Sequence, residues 1–273
     1  MKRMILTGIL ALVSGATALM AQKPPQPKSK GEVEALQAMF NAQDPDSRIK
    51  AADALITKYA DTEFKDIALY MAAFSYQQKG EAEKAVVYAE RTLEANPKHY
   101  QAMLMLAEIT TQRTGEHDLD REEKLTRSTK YANDAIAAVK AAAKPNPSLT
   151  DEQWAAAQKD LTAQGYQALG MVAMSRKKYD EAVNEFKQAT ETTASPEPAY
   201  QVRLAQAYLL NSKYDDAIAT AQKVMDTPNA HPQVKQVAQA IRAQATQAKN
   251  KAAAGPAGPA APPSPPQVEI KKP

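Results

Sequence analysis

Over residues 66–99 apolar side chains return every three or four positions in two short runs: Leu69, Ala72, Ala73 and Tyr76, then Ala85, Val86, Ala89 and Leu93. That period places each run on one face of an α-helix. Gly80 stands between them, where a left-handed residue ends a helix, and Pro97 blocks continuation of the second. The segment reads as a helical hairpin whose small residues Ala73 and Ala85 meet at the crossing, with Tyr76 and Leu93 filling the space on either side. Such a hairpin buries only one side of each helix, so the pattern predicts further hairpins stacked against it.

The rest of the chain supplies them. Val33, Leu36, Met39 and Phe40 share a helical face over 32–43, and Ile49, Ala52, Leu55, Ile56 and Tyr59 share another over 48–59, with Asp44 as N-cap and Pro45 in the first turn between them. Residues 100–112 repeat the first-helix pattern, with Leu106 and Ala107 in the places of Ala72 and Ala73. Their partner comes late: after RTGEHDLDREEK the small-residue seam resumes at Ser128, Ala132, Ala135, Ile136 and Val139, about nine positions behind a repeat of about 34 residues. The spacing predicts an enlarged loop or lengthened helices there. KPNPS, 144–148, is the strongest interior break.

A helix is then expected from Thr150 and Asp151 through Trp154, Ala157, Leu161, Tyr166, Leu169, Gly170 and Ala173 to about Arg176, with Trp154 on an extension packed against the preceding pair. Its partner carries Tyr179, Ala182, Val183, Phe186 and Ala189. The next unit carries Leu204, Ala205 and Tyr208, a left-handed turn at Asn211, then Tyr214, Ala217, Ile218, Ala221 and Val224. A last helix over 233–249, with Val234, Val237, Ala240 and Ile241 on its face, would cover the end of the stack. The expected fold is all-α, a right-handed α-solenoid of antiparallel helix pairs. Its units span about 32–65, 66–99, 100–147, 148–196 and 197–231, so the repeat domain covers 32–250.

Composition agrees with thin helix-on-helix packing: 44% of the 273 residues are hydrophobic but only 6% aromatic. The ends differ from the middle. Residues 1–21 open with Lys2 and Arg3, run apolar from Met4 to Val13 and finish in small residues, the pattern of a secretory signal peptide. Cleavage is expected after Ala21 or Ala18, with Ala21 preferred; an uncleaved membrane anchor is the alternative, and either way the remainder lies outside the cytoplasm. Residues 22–31 are a proline-rich tether, and 251–273 a proline- and alanine-rich disordered or polyproline-like tail, serving as a spacer or as a ligand for a proline-recognising groove. Removing Lys2 and Arg3 from the 34 basic residues leaves 32 against 31 acidic, a balance that gives no reason to expect nucleic acid. The chain has no cysteine, which rules out disulfides, thiolate metal sites, a cysteine nucleophile and a lipidated N-terminal cysteine.

These hairpins resemble the tetratricopeptide repeat, in which small residues sit at the helix crossing, an aromatic follows in the first helix, and a proline ends the second. The residues carrying the resemblance are Ala73, Tyr76, Gly80, Ala85 and Pro97 in 66–99; Leu169, Gly170, Ala182, Phe186 and Ala189 in 163–196; and Ala205, Tyr208, Ala217 and Ala221 in 198–231. The resemblance implies that one face of each first helix lines a concave groove that holds peptides. Carried over residue by residue, that face is Tyr70, Phe74 and Gln77; Gln101, Leu104, Glu108 and Thr111; Gln164, Gln167, Met171 and Met174; Val202, Gln206 and Leu209. The chaperone-binding members clamp a carboxylate with lysine, asparagine and arginine, and only Arg203 matches them. The implied ligand is an apolar peptide or helix whose backbone the glutamines can hydrogen-bond, unless Met171, Met174 and Leu209 are covered by the protein's own neighbours. Partners of the envelope or secretion machinery are implied. Self-association through stacked end faces is a second reading.

Little else suggests chemistry. Glu116, His117, Asp118, Asp120, Glu122 and Glu123 resemble a calcium loop, but the sharp-turn glycine is missing and Thr129 stands where the closing glutamate belongs. A solvated loop is expected, with no metal and no cofactor. His99 and His231 follow second helices at equivalent joints, where a structural role at a helix C-terminus is expected. No phosphate loop, nucleophile elbow or histidine-pair zinc motif occurs, so no enzymatic activity is expected; the remaining alternative is an enzyme whose serine, histidine and acid converge only in the fold.

Overall fold

The computed structural model describes residues 25–146, 148–195 and 197–254. The expected leader over 1–21, residues 22–24 of the tether, Pro147, Pro196 and the tail from 255 lie outside the described residues. Within them the chain is helical, with no strand. Five hairpins follow one another: α1 (Lys30–Phe40) with α2 (Pro45–Lys58), α3 (Lys65–Gln78) with α4 (Ala82–Ala95), α5 (Tyr100–Gln112) with α6 (Arg121–Ala141), α7 (Asp151–Ser175) with α8 (Tyr179–Thr192), and α9 (Pro198–Leu210) with α10 (Tyr214–Asp226). A final helix, α11 (Pro232–Ala253), packs on α10 and α9. Each helix contacts the next along the chain, and α5 also touches α7. This is the nearest-neighbour connectivity of an α-solenoid.

Helix starts follow local chemistry. Asp44 accepts a hydrogen bond from the Ser47 backbone N–H at 2.8 Å, with Pro45 opening α2. Thr150 and Gln153 form a reciprocal capping box that starts α7. Three short turns need a residue in the left-handed region. It is Gly80 (φ 74°) after α3, Lys177 (φ 59°) after α7 and Ser212 (φ 58°) after α9. Asn211, expected in that role, is instead the C-cap at φ −86°, and Ser212 takes the turn.

The seam between the helices of a pair is made of small residues. Ala73, Ala85 and Ala89 are fully buried with Ala102, Met105, Leu106 and Ile109, so the closest packing of the second pair also receives the first helix of the third. Gly170 makes the same approach in the fourth pair: a Cβ there would lie 2.5 Å from Phe186 Cε1. Gly165 is equally tight against Ile136, at 2.4 Å from Cγ1. Both glycines are places where backbone meets side chain too closely for a methyl group.

The late seam of the third pair is resolved by both of the expected means. The α5–α6 connection is enlarged, and α6 is 21 residues long against 14 for α4. Ser128, Ala132, Ala135, Ile136 and Val139 are all buried. Inside that pair Thr111 gives a correction. Expected in the groove, it is buried, bonded to the Ala107 carbonyl at 2.8 Å and to the Ser128 hydroxyl at 2.6 Å.

Two other expected faces shift. Phe40 is 51% exposed at the C-terminal end of α1, and Glu32 is buried on that helix instead, its carboxylate accepting from Thr62 Oγ1 at 2.6 Å and from the Lys28 N–H at 2.6 Å. On α11 the buried residues are Ala238, Ile241 and Ala245, while Val237 and Ala240 are exposed. Val237 and Ala240 precede the buried positions Ala238 and Ile241, so a small rotation of the helix separates the expected face from the observed one. The short segment before α1 also reaches the repeats: Lys28 Nζ pairs with Asp61 at 2.8 Å, and the Gln26 N–H donates to Glu63 at 2.9 Å.

Along the edge formed by the intra-pair turns, ion pairs join each unit to the next. Lys79 reaches Asp46 at 2.6 Å, Arg113 reaches Glu83, Lys177 reaches Glu116 at 2.6 Å, Lys213 reaches Asp180 at 3.3 Å, and Lys249 reaches Asp215. The acids lie near the starts of second helices, or in the enlarged loop for Glu116. All are solvated, so they set register between units more than they hold them together.

The histidines at the joints serve the helices that follow, which corrects the expectation of a C-terminal role. His99 Nδ1 accepts from the Ala102 N–H at 3.3 Å, and His231 Nδ1 accepts from the Gln233 N–H at 3.3 Å. Both act as N-caps of α5 and α11. Acceptance requires an unprotonated Nδ1. Burial lowers the pKa of His99, against an opposing pull from Asp66. A proton is therefore bound more readily by the unfolded chain, and stability is expected to be full above the ordinary histidine value. It should fall as pH drops from there through the depressed folded value. Urea midpoints measured across this window should decline in the native chain and flatten in His99→Asn, which caps without titrating. Equal pH dependence in the two proteins would remove His99 as the cause.

A pocket on the first-helix face and its family

The first helices of the third, fourth and fifth pairs converge on one pocket of ≈ 250 Å³. From α5 come Leu104, Glu108 and Gln112, one helical turn apart. From α7 come Gln164, Gln167, Ala168 and Met171. From α9 come Tyr200 and Arg203. Five of the expected groove residues, Leu104, Glu108, Gln164, Gln167 and Met171, thus share one wall system.

Its floor is apolar and its rim polar. Leu104 is 7% exposed and packs with Met103 and Ala135, and Met171 packs with Met174 and Tyr208 around Ala173, Leu204 and Ala207. Glu108 is exposed and accepts from Gln112 Nε2 at 2.9 Å. The Arg203 guanidinium lies against Met171 Sδ at 2.7 Å. Tyr200 has its phenol pKa pushed up to about 12, first by burial and then by the charges of Glu197, Asp160 and Glu108, with Arg203 opposing.

The other expected residues lie elsewhere. Tyr70 stacks on Phe74 at 6.5 Å and meets His99, the N-cap of α5, in a tilted contact at 4.8 Å, outside the pocket, with Gln77 farther along α3. Gln101 is half-buried in the first turn of α5, and Gln206 is exposed on α9. Val202 and Leu209 are partly buried against the cluster of Ala205, Ala221, Val224, Ala238 and Ile241, which α9, α10 and α11 form together. All four of Tyr200, Val202, Arg203 and Leu209 are half-buried, and the two that reach the pocket are Tyr200 and Arg203. The sequence reading missed Gln112, Ala168 and Tyr200; Gln112 was within reach as the residue one turn beyond Glu108.

The acidic insert is braced by cations of the protein itself. Asp118 and Asp120 both pair with Lys124 at 2.9 Å, Glu116 pairs with Lys177, and Glu122 pairs with Arg176. Among the described residues no group of three histidines or carboxylates could hold a metal ion, and no helix is long and apolar enough to cross a membrane.

A family model for the tetratricopeptide repeat matches residues 70–135 and 168–230. Both stretches are tetratricopeptide repeats. The matches take in most of the second to fifth hairpins, enlarged loop included. Among solved structures, TTC0263, a thermophilic tetratricopeptide-repeat protein in Thermus thermophilus, superposes with a TM-score of 0.51 at 17% identity over 81% of this chain and 100% of its own, a likeness of fold. The assembly chaperone of RpL4 (Acl4) aligns at a TM-score of 0.44 and 11% identity, over 84% of this chain and 99% of that one. No curated protein matches the sequence. Tetratricopeptide-repeat proteins bind protein partners, so this chain has the architecture of a protein-interaction scaffold.

Proposed function

We propose that this tetratricopeptide-repeat protein is an exported, non-catalytic scaffold that holds a peptide or helix of an envelope or secretion partner against its first-helix face. The observation that carries the reading is the pocket where α5, α7 and α9 meet: an apolar floor, continuous with the packing between the repeats, ringed by glutamine amides. Glutamines can bond a partner backbone without dictating its side chains, and the floor supplies apolar contact. Export rests on the leader-like pattern of residues 1–21. A non-catalytic role fits the acidic insert, whose carboxylates are engaged by Lys124, Lys177 and Arg176. The competing idea of stacked end faces finds little support at α11, where Lys235, Gln239, Arg242 and Thr246 make the surface beside Met225 of α10 largely polar.

The test is a photo-crosslinking residue placed at Gln164, on the pocket, or at Val87, exposed on α4. In the native cell an adduct is expected from position 164 and none from position 87; the reverse would move the binding surface off the first-helix face. Sequencing the N-terminus of the same purified protein tests export, with Gln22 or Leu19 expected first. A retained Met1 would favour the anchor.

A further inference from the structure

We propose that the pocket between α5, α7 and α9 seats one basic side chain of the bound partner segment, a lysine or arginine, with Glu108 as its carboxylate anchor. This rests on the groove reading above and adds what the groove selects. Size comes first: ≈ 250 Å³ falls below the volume of about 300–1,000 Å³ typical of pockets for drug-sized ligands, and suits a single long side chain. Shape comes next. Leu104, Ala168 and Met171 offer an apolar floor on which the methylenes of lysine or arginine can lie while the charged head stays at the polar rim.

Charge gives the sign. Among the described residues Glu108 pairs with no lysine or arginine; its carboxylate takes only the neutral Gln112 amide at 2.9 Å. Two further carboxylates stand on the helices that supply the pocket: Asp160 is one turn before Gln164 on α7, and Glu197 caps α9 three residues before Tyr200. Asp160 accepts from Thr193 Oγ1 and the Ala194 N–H, both at 2.8 Å, and Glu197 accepts from the Ala199 N–H at 3.1 Å, all neutral donors. Their combined field is felt at Tyr200, whose hydroxyl proton is held more tightly because of Glu197, Asp160 and Glu108. Arg203 is the opposing charge on the far wall, turned onto Met171. An acidic partner side chain drawn to Arg203 is the opposite reading; Glu108 is exposed with no cation on it, whereas Arg203 is half-buried and turned onto Met171, and that difference decides for the cation. The carboxylate clamp of the chaperone-binding relatives is thus inverted in sign here.

The test is a random peptide library displayed against the full mature chain, its Glu108→Gln and Glu108→Lys variants, and Arg203→Gln, each first shown to keep its helical circular dichroism. The native chain is expected to select peptides with a lysine or arginine beside apolar residues. Glu108→Gln should weaken the best of these at least about tenfold, Glu108→Lys should select an acidic residue in its place, and Arg203→Gln should strengthen the basic peptide. Selection of acidic peptides that depend on Arg203 would overturn the proposal in favour of its opposite. Peptides that protect α5, α7 and α9 amides from hydrogen exchange, yet show no charge preference and no response to Glu108→Gln, would overturn it while leaving the groove reading intact. Protection confined to other helices, or no selected peptide at all, would overturn the groove reading and this proposal with it.

Discussion

Phe186→Ala is expected to lower the free energy of unfolding by about 3–5 kcal/mol, the usual cost of emptying a buried aromatic site. Phe186 is fully buried on α8, and its ring lies over Gly170 so closely that a methyl on the glycine would come within 2.5 Å of Cε1. The two positions are therefore coupled. Gly170→Ala alone should cost about 1–3 kcal/mol through overpacking, offset in part by the better helix propensity of alanine. Combining it with Phe186→Leu should cost less than the sum of the two single changes, because the smaller side chain makes room for the methyl. Urea unfolding followed by circular dichroism measures the four variants against the native chain. Strict additivity would mean that the ring and the glycine do not touch in solution. A fall in the denaturant slope of Phe186→Ala would show the fourth hairpin opening apart from its neighbours, as nearest-neighbour stacking allows.

Ala73→Leu is the second large effect, with an expected loss of about 1–3 kcal/mol. Ala73 has no exposed surface and packs in one cluster with Ala85 and Ala89 of α4 and Ala102 and Met105 of α5. Three helices meet at that point, so the added carbons have no direction in which to relax without parting two seams. The partner control is Val87→Leu, at a half-exposed site on α4, which should change stability by only a few tenths of a kcal/mol, as for other surface substitutions. Denaturant midpoints that fail to separate the two variants would place Ala73 off the crossing.

The helices were legible because their signals are local. Asp44 and Pro45 open α2, Thr150 caps α7, Gly80 takes the left-handed turn after α3, and the small-residue seams recur wherever two helices must approach. Each depends on residues within a turn or two of one another. Misread positions were those whose environment comes from a helix distant in sequence. Thr111 reads as a groove residue until Ser128 is seen to bond it across the enlarged loop. Val202 and Leu209 read as open until the cluster shared with α10 and α11 partly covers them. Phe40 reads as core on its own helix, yet it falls at the last residue of α1, where the following hairpin leaves it uncovered.

By itself, then, the sequence determined the all-helical class, the pairing of helices, the close crossings at Ala73, Ala85 and Gly170, and which face of α5 and of α7 carries amides beside apolar residues. Only the tertiary structure decided where those faces meet. A heptad-like period states that a residue is on one side of its helix, but the rotation of that helix is set by what packs on its other sides. The rotation of α9 leaves Val202 and Leu209 partly covered on the side of α10 and α11 and puts Tyr200 and Arg203 in the pocket with Glu108. That rotation, which no local pattern encodes, gives the pocket its third wall and its charge.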